Sequence, residues 1–441
     1  MERIFSLPLN HDELYTEEIS KIVPYHYLYE KEYCSTSLVL YSFEEQEELK
    51  LASETMNKLA FKVLRFVQRY LPDLYLIKQL GIHPSLVEPA RIEIPYHGVS
   101  RQDWIMGEAG PKLIEFNYDT PTGIPETAYL SNIIIDQHSS FEKSSAYMDQ
   151  AIQESFDKLL SFYQSKGFNG VIAFSCYDWH IEDLYNTKYL IHLVEQLGYQ
   201  VILAPLEELK VVENEGLFYN NQKIDIWYRL YPLEYLVHDV DDQGFKTGES
   251  ILKLVTEHKL AVINPCQSLI IQSKGFLALM WTLAEQNELL QELWQVKEPL
   301  FSKEEVELIQ KYLLPSYFKP DYFKQKEMDW VEKAFFGREG KGTAIIRYNK
   351  QDKYEININE DENIQQYYSS QPNICQKLYE MPQVTLRTEG RLYEGYLLTG
   401  VFVIGEQFAG ILSRVGDLIT GDLAYFCPSA VLKEHKSNSK I

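Results

Sequence analysis

Four polar residues in two short stretches have the types and spacing of a magnesium site. The stretches are RQDW, with Arg101 and Asp103, and KLIEFNYD, with Glu115 and Asn117. Each belongs to a short alternating run, and a Gly and Pro turn, GEAGP, separates the two runs, which predicts an antiparallel hairpin. If the turn centres on Ala109, Asp103 lies opposite Glu115 and Arg101 lies opposite Asn117. Because side chains alternate between the faces of a strand, all four project from one face.

Two carboxylates directly opposite each other have β-carbons about 5 Å apart, and their repulsion destabilises the pairing. Mg²⁺, a hard cation that takes carboxylate and amide oxygens, would offset this repulsion. Arg101 could also do so, by pairing with one carboxylate. The alternative is a solvated polar face, and a register slip of one residue would remove the arrangement. The same register places Ile105 opposite Leu113 and predicts that the other face lies on a core, with Gln102, Trp104, Met106, Ile114 and Phe116.

A glycine-rich segment, VEKAFFGREGKGTAII, is typical of a strand, a turn and a second strand. Lys333 falls on the first strand, and Gly337, Gly340 and Gly342 fall in the turn. Glycines allow backbone N–H groups to approach phosphates closely, and Arg338 adds positive charge to the turn. The segment has neither a P-loop motif nor the helix that follows a dinucleotide fingerprint. A glycine-rich hairpin with solvated charges is the alternative.

A third candidate is Arg414, in GILSRVGDLIT near the end of a predicted strand. A guanidinium there could stabilise charge on a transferring phosphoryl group or a tetrahedral intermediate. A surface ion pair with Asp417 is the alternative.

The elements that must position these residues follow from the hydrophobic pattern. A long amphipathic helix is expected from Ser42, its N-cap with Glu45 three residues later, to about Tyr70. Strands alternate with helices from residue 168 to 270, which indicates a parallel, doubly wound α/β domain. Its predicted strands are GVIAFSC, QVILAP, KIDIWYRLYP and LAVINP, and its clearest helix is Glu182–Gly198. Helices follow to about residue 313, and antiparallel strands follow these.

Composition excludes several classes of protein. The 441 residues carry a formal net charge of −22, which argues against a nucleic-acid partner. No apolar stretch has the roughly 20 residues of a membrane span, and the N-terminus does not have the pattern of a signal peptide. Five widely spaced cysteines predict buried, reduced thiols in a cytoplasmic protein. No pattern indicates an oligomeric state.

Together these motifs resemble the synthetase domain of the glutathionylspermidine synthase family of ATP-grasp ligases. The resemblance runs in chain order from about residue 25 to 428. It includes RQDW, EFNYDTPTGIPE, IDIWYRLYPLEYL, VINPCQSLIIQSKGFLALMW, VEKAFFGREGKG, ICQKLYEMP and GILSRVGDLIT. The Cys/His amidase domain of the bifunctional members has no counterpart here, so hydrolysis of the conjugate is not expected.

The resemblance implies roles for individual residues. The metal ligands fall on Asp103, Glu115 and Asn117, which the hairpin geometry also selects. The arginine at the thiol-peptide site falls on Arg101, and two hydroxyl residues that contact this substrate fall on Thr120 and Thr122.

The resemblance also implies the nucleotide residues. The ATP lysine falls on Lys333, and the loop with Gly337, Arg338, Gly340 and Gly342 lies over the phosphates. Gln376 belongs to the adenine-side hinge, and Lys274, at a helix start, is a weaker candidate for a phosphate contact. Arg414 is the arginine that stabilises the tetrahedral intermediate. A second ATP lysine has no counterpart before NICQ, where Pro372 stands.

The implied fold is α/β (α+β), an ATP-grasp fold with a preceding doubly wound α/β domain. We expect an N-terminal helical and hairpin region over 1–167, the α/β domain over 168–270 and the nucleotide-binding region over 271–441. The implied activity is an ATP- and Mg²⁺-dependent ligase that joins glutathione or a similar peptide to a polyamine, whose ammonium groups Glu182, Asp183 or Glu234 could bind. Two alternatives remain open: a ligase of another small acid with another amine, and a catalytically silent nucleotide- or polyamine-binding protein.

Overall fold

The computed structural model describes residues 3–294, 298–348, 352–355 and 362–434 of a mixed α/β protein. Within these ranges, the helices of seven or more residues are Phe43–Tyr70, Asp73–Gln79, Pro84–Arg91, Ser131–His138, Met148–Ser165, Ile181–Glu195, Thr247–Thr256, Gly275–Glu285, Asn287–Trp294, Lys303–Tyr312 and Glu362–Ser370. None of the described helices is both long and apolar enough to cross a membrane. All five cysteines are free and buried, as predicted.

The predicted hairpin is confirmed and forms part of a six-stranded antiparallel sheet, which we call the central sheet. Its other strands come from the C-terminal part of the chain, so residues about 300 positions apart meet directly: Asp103 pairs with Gly400. The strands are Val99–Gly107, Gly110–Asn117, Gln383–Thr388, Arg391–Ile404, Gln407–Gly416 and Tyr425–Cys427.

The hairpin register agrees with the prediction at the polar end and differs near the turn. Asp103 pairs with Glu115 and Arg101 with Asn117, as expected. A β-bulge then shifts the register by one residue, so Leu113 pairs with Trp104 rather than with Ile105. Ile114 is the extra residue of the bulge. The prediction that Ile114 lies on the core face with Trp104 was wrong, because Ile114 lines a cleft together with Ile105.

The long N-terminal helix covers one face of the central sheet. It spans Phe43–Tyr70 and begins, as predicted, with a capping box between Ser42 and Glu45. Its buried stripe packs on the sheet. The Gln102 side chain also donates a hydrogen bond to the Ser53 carbonyl at 3.0 Å. The helix therefore fixes the face of the hairpin opposite the four polar residues.

A second six-stranded sheet contains the four predicted parallel strands, Val171–Ser175, Val201–Leu203, Gln222–Arg229 and Ala261–Ile263. The predicted helix is found at Ile181–Glu195. Two short antiparallel strands, Lys210–Val212 and Gly216–Tyr219, extend the sheet at one edge and were not predicted.

The glycine-rich segment lies in a five-stranded antiparallel sheet. The predicted strands on either side of the turn are Trp330–Ala334 and Thr343–Arg347, and Asn373–Lys377 pairs with the first of them. Ser316–Tyr317 and Asp352–Glu355 complete the sheet. The remaining short strands are Ile4–Ser6, Tyr27–Leu28, Lys31–Glu32, Ser37–Tyr41, Glu142–Lys143 and Ser429–Val431.

A buried junction attaches the end of the hairpin to the parallel sheet. Arg229 and Asp119 form an ion pair of 2.5 Å with both side chains fully buried. The Asn264 amide donates to the carbonyls of Tyr118 and Asp119, and Gln272 Oε1 accepts from the N–H groups of the same two residues. The Asp119 carboxylate binds Arg229 at the point where the end of the hairpin enters the core.

We predict that Arg229→Met lowers the free energy of unfolding by about 3–5 kcal/mol, because it leaves the Asp119 carboxylate buried without its cation. Urea denaturation monitored by circular dichroism measures this loss. Arg69→Met is the matched control, since the Arg69–Glu93 pair is exposed, and we expect little change. A loss below about 1 kcal/mol for Arg229→Met would show that the buried Asp119 carboxylate does not depend on Arg229.

Candidate active site

A cleft between the central sheet, the five-stranded sheet and the helix Gly275–Glu285 brings seven of the predicted site residues together. These residues are Asp103, Glu115, Lys274, Lys333, Gly337, Gly340 and Gln376. Apolar side chains line the rest of the cleft, among them Ile105, Ile114, Val331, Ile345 and Leu398. The cleft thus combines a charged end with an apolar end.

Asp103 is held by Arg101 and Asn117 at the charged end of the cleft. The Arg101 guanidinium donates from Nε and Nη2 to the two carboxylate oxygens, at 2.8 and 3.1 Å, and Asn117 donates at 3.0 Å. Arg101 also donates to the Thr122 carbonyl at 3.0 Å. Of the two ways to offset the carboxylate repulsion, pairing with Arg101 is therefore present in the protein itself.

Gly400 gives Arg101 the room to lie flat on the sheet. A β-carbon at this position would lie 3.1 Å from Arg101 Cδ and 3.3 Å from the Leu412 side chain. Because Gly400 pairs with Asp103 on one side and with Leu412 on the other, any larger side chain would compete with the ion pair for space.

The second carboxylate, Glu115, is paired with Lys274. The Lys274 ammonium lies 2.9 Å from Glu115 and donates to the Gly337 carbonyl at 2.6 Å. Lys274 is almost fully buried, and its own backbone N–H donates to the Phe335 carbonyl. One ammonium group therefore joins the hairpin to the glycine-rich loop.

Lys333 lies between the bulge and the strand of Gln376. Its ammonium donates to the Ile114 carbonyl at 2.9 Å and to Gln376 Oε1 at 2.8 Å. Burial lowers the pKa of Lys333 to about 8, and the neighbouring Lys274 contributes in the same direction, while Glu115 and Asp103 oppose it. An added negative charge nearby would therefore stabilise the charged form of Lys333.

The donor set at Asp103, Glu115 and Asn117 fits a hard cation, since it consists of two carboxylates and one amide on one face of the hairpin. In the described part of the chain, no group of three or more His, Cys, Asp or Glu side chains is placed to hold a metal ion. A site formed by Asp103, Glu115 and Asn117 would not be such a group, because its third ligand is an amide side chain.

Arg414 lies on the same face of the central sheet as Asp103, two residues along its strand from Leu412. It donates to the Gly421 carbonyl at 2.6 Å, whereas the Asp417 carboxylate accepts from the Tyr393 hydroxyl at 3.4 Å. Its charge lowers the pKa values of Glu126 and Glu182, although burial dominates and raises both, that of Glu182 to about 8. Two carboxyl groups therefore lie within electrostatic range of Arg414.

Four other predicted residues have different surroundings. Arg338 turns from the loop to Glu234, with 2.7 Å between Nε and Oε1, so Glu234 is paired with a cation of the protein itself. The Thr120 hydroxyl is buried and has no hydrogen-bond partner among the described residues. The Asp183 carboxylate lies 3.3 Å from the His180 ring, and the Asp183 N–H donates to this ring, which caps the helix Ile181–Glu195.

Sequence reasoning missed two contributions. Glu126 is fully buried and accepts a hydrogen bond from Tyr33 at 3.1 Å, although in the sequence it is only the last residue of the EFNYDTPTGIPE motif. The Tyr379 hydroxyl donates to the Gly110 carbonyl and accepts from the Ala109 N–H, and so fastens the segment after Gln376 to the hairpin turn. In the sequence, only its position in the ICQKLYEMP motif indicated a role for Tyr379.

Comparison with proteins of known structure supports the fold. A solved glutathione synthetase-like effector of Globodera pallida superposes with a TM-score of 0.53, at 11% sequence identity over 90% of each chain. At this identity the likeness concerns the fold alone, and it agrees with a mixed α/β architecture.

Comparison of sequences gives the family. A protein of Haemophilus influenzae that bears the name "Putative acid--amine ligase" is 23% identical over 322 residues, 72% of this chain and 70% of that protein. Residues 11–432 match the family described as "Glutathionylspermidine synthase preATP-grasp". Since this match spans nearly the whole chain, the protein belongs to the glutathionylspermidine synthase preATP-grasp family.

Proposed function

We propose that this protein is an acid–amine ligase that forms an amide bond at the expense of ATP, through an acyl phosphate. The observation that carries the proposal is the charged end of the cleft. There, Asp103 and Glu115 face two buried lysines, Lys274 and Lys333, beside the glycine-rich loop. The family match and the name of the Haemophilus relative support the same activity.

The finer fold assignment belongs to this proposal. The five-stranded sheet with the glycine-rich loop, and the central sheet that faces it across the cleft, would be the two halves of an ATP-grasp region. The parallel sheet would be the preceding doubly wound domain. The boundaries at 167 and 270 remain predictions.

The reaction has two steps. A carboxylate oxygen of the acid attacks the γ-phosphorus of ATP, and ADP leaves. The amine nitrogen then attacks the acyl carbon, the C–O bond to phosphate breaks, and the nitrogen loses a proton. The protein contributes mainly position and charge. Lys333 and Lys274 would bind phosphate oxygens, and Arg414 would stabilise the oxyanion of the tetrahedral intermediate.

Mg²⁺ fits the oxygen donors of Asp103, Glu115 and Asn117, and its chemistry there would be to neutralise phosphate charge. Arg101 already pairs with Asp103 and fixes that carboxylate on the sheet. The part of the Arg101 guanidinium that does not face Asp103 would contact the acid substrate. Thr120 and Thr122, at the end of the hairpin, would contact it as well.

We further infer that the acid is glutathione or a similar peptide and that the amine is a polyamine. Glu126 and Glu182 support a cationic amine, since burial raises the pKa of each carboxyl group and a nearby ammonium group would favour their ionised forms. Mass spectrometry of the products formed from Mg-ATP and a metabolite extract identifies both substrates. A product that joins a different acid and amine would retain the ligase assignment and replace the substrate pair.

We predict that Asp103→Asn and Arg414→Ala each reduce ligation at least about 100-fold, because charge stabilisation in the transition state is lost. Coupled assays of ADP release measure the effect, with circular dichroism to show that each variant is folded. Asp136→Asn, which removes one carboxylate of the partly exposed pair with Lys143, is the matched control. Normal ADP release by both site variants would refute the site. Binding of Mg-ATP by calorimetry without any ADP release from the wild type would indicate a silent binding protein.

ATP affinity should depend on pH through Lys333. Its pKa of about 8 means that the free protein loses this charge as the pH rises above 8, whereas bound phosphate favours the charged form. We expect ATP to bind about tenfold more weakly at pH 9 than at pH 7.5. Calorimetry in buffers of different ionisation enthalpy should show proton uptake on binding. Lys333→Met should bind weakly at every pH, and a variant that keeps the full pH dependence would rule out Lys333 as its source.

Amine binding should have the opposite dependence. Glu182, with a pKa of about 8, is largely protonated at pH 7, and an ammonium group favours its ionised form. The Kd for the amine should therefore decrease as the pH rises from 6.5 to 8, with release of a proton. Glu182→Gln should raise the KM for the amine about tenfold and leave that for ATP unchanged. An equal rise in both KM values would contradict an amine site at Glu182.

A further inference from the structure

The ion pair between Arg338 and Glu234 joins two distant parts of the chain. Arg338 lies in the glycine-rich loop, and Glu234 lies in the short helix Leu233–Leu236, which follows the parallel strand Gln222–Arg229. The Nε–Oε1 distance is 2.7 Å, and the exposed fractions of the two side chains are 22% and 4%. A pair this well buried restricts both partners more than a surface ion pair does.

Tyrosines enclose the pair. The Arg338 guanidinium lies 5.8 Å from the centre of the Tyr235 ring, and the Tyr235 hydroxyl is 2.8 Å from that of Tyr368. Tyr368 belongs to the helix Glu362–Ser370, which leads into the strand of Gln376. The ring contact and the hydroxyl pair thus connect the arginine, through the helix of Glu234, to the helix that carries Tyr368.

Glu234 is anchored through the residue before it. The N–H of Leu233, the residue before Glu234, donates to the Asp119 carboxylate at 3.0 Å. Asp119 is itself fixed by Arg229 in the buried junction. Glu234 therefore presents its carboxylate from a helix that is attached to the buried junction.

Three residues of the loop have positive φ values. Glu339, Gly340 and Gly342 have φ values of 52°, 76° and 71°, a conformation that side chains generally disfavour. The loop is held at one end by the bond from Lys274 to the Gly337 carbonyl. The bond from Arg338 to Glu234 is a second attachment, one residue further on.

We propose that Glu234 is a positioning residue that acts through Arg338 to hold the glycine-rich loop in its ATP-binding conformation. The inference rests on the proposed function, since it takes the loop to be the phosphate site. Arg338 Nη2 is buried and has no hydrogen-bond partner among the described residues, so one donor of the guanidinium is unused while Nε stays on Glu234. The role differs from the ammonium site first suggested for Glu234, because the carboxylate already has a cation.

The test is Glu234→Gln, with Mg-ATP binding measured by calorimetry and the KM values of ATP, acid and amine measured separately. We expect Mg-ATP to bind about tenfold more weakly, with the KM values of acid and amine within about twofold of the wild type. Glu234→Asp should recover part of the affinity. Arg69→Gln removes an exposed Arg–Glu pair remote from the cleft and should change none of these values.

A double-mutant cycle separates positioning from a general loss of stability. In an Arg338→Gln background, Glu234→Gln should weaken Mg-ATP binding no further, because its effect passes through the arginine. Additive losses, or wild-type affinity in Glu234→Gln, would overturn the inference. If the wild type itself does not bind Mg-ATP, the proposed function fails instead, and the two failures are thus distinguishable.

Discussion

The hairpin register forces two carboxylates, Asp103 and Glu115, to face each other across adjacent strands in a chain of net charge −22. Like charges in this position oppose pairing of the strands, so cations must accompany them. The protein supplies Arg101 to the first and Lys274 to the second. Lys274 lies at the start of a helix and also donates to the Gly337 carbonyl. The lysine that offsets this repulsion therefore also holds the glycine-rich loop against the hairpin.

The same charges are those that the proposed phosphate transfer would require. Lys333 is buried, and its lowered pKa shows that the surrounding carboxylates do not fully offset the cost of its charge. A polyphosphate would add negative charge where two lysines are already fixed by the Ile114 carbonyl, Gln376 and the loop. Such preorganised charge needs little rearrangement during the reaction, which is the main way a protein assists phosphoryl transfer.

Local features were predictable from the sequence, and long-range ones were not. The pairing of Asp103 with Glu115 and the Ser42 cap follow from patterns within about 20 residues. The bulge at Ile114 did not follow, because period-two alternation carries no signal for one inserted residue. The Asp119–Arg229 and Arg338–Glu234 pairs join residues more than 100 positions apart, so only the packing of the sheets determines them.

The roles of individual site residues required the family resemblance in addition to patterns. Arg414 illustrates this, since its sequence context alone favours a surface ion pair, and the structure places it instead on the face of the sheet that carries Asp103. Glu126 illustrates the reverse. Its burial beside Tyr33 is evident only in three dimensions, because nothing in GIPE distinguishes a buried carboxyl group from a solvated one.

The central claim is that the acid is activated as an acyl phosphate. The most direct measurement uses the acid that supports ADP release, labelled with ¹⁸O in its carboxylate, and follows the label by mass spectrometry after ligation. The account predicts that each released phosphate carries one ¹⁸O atom from the acid and that ADP forms only when the acid is present. Phosphate free of label, or label found in AMP, would contradict it.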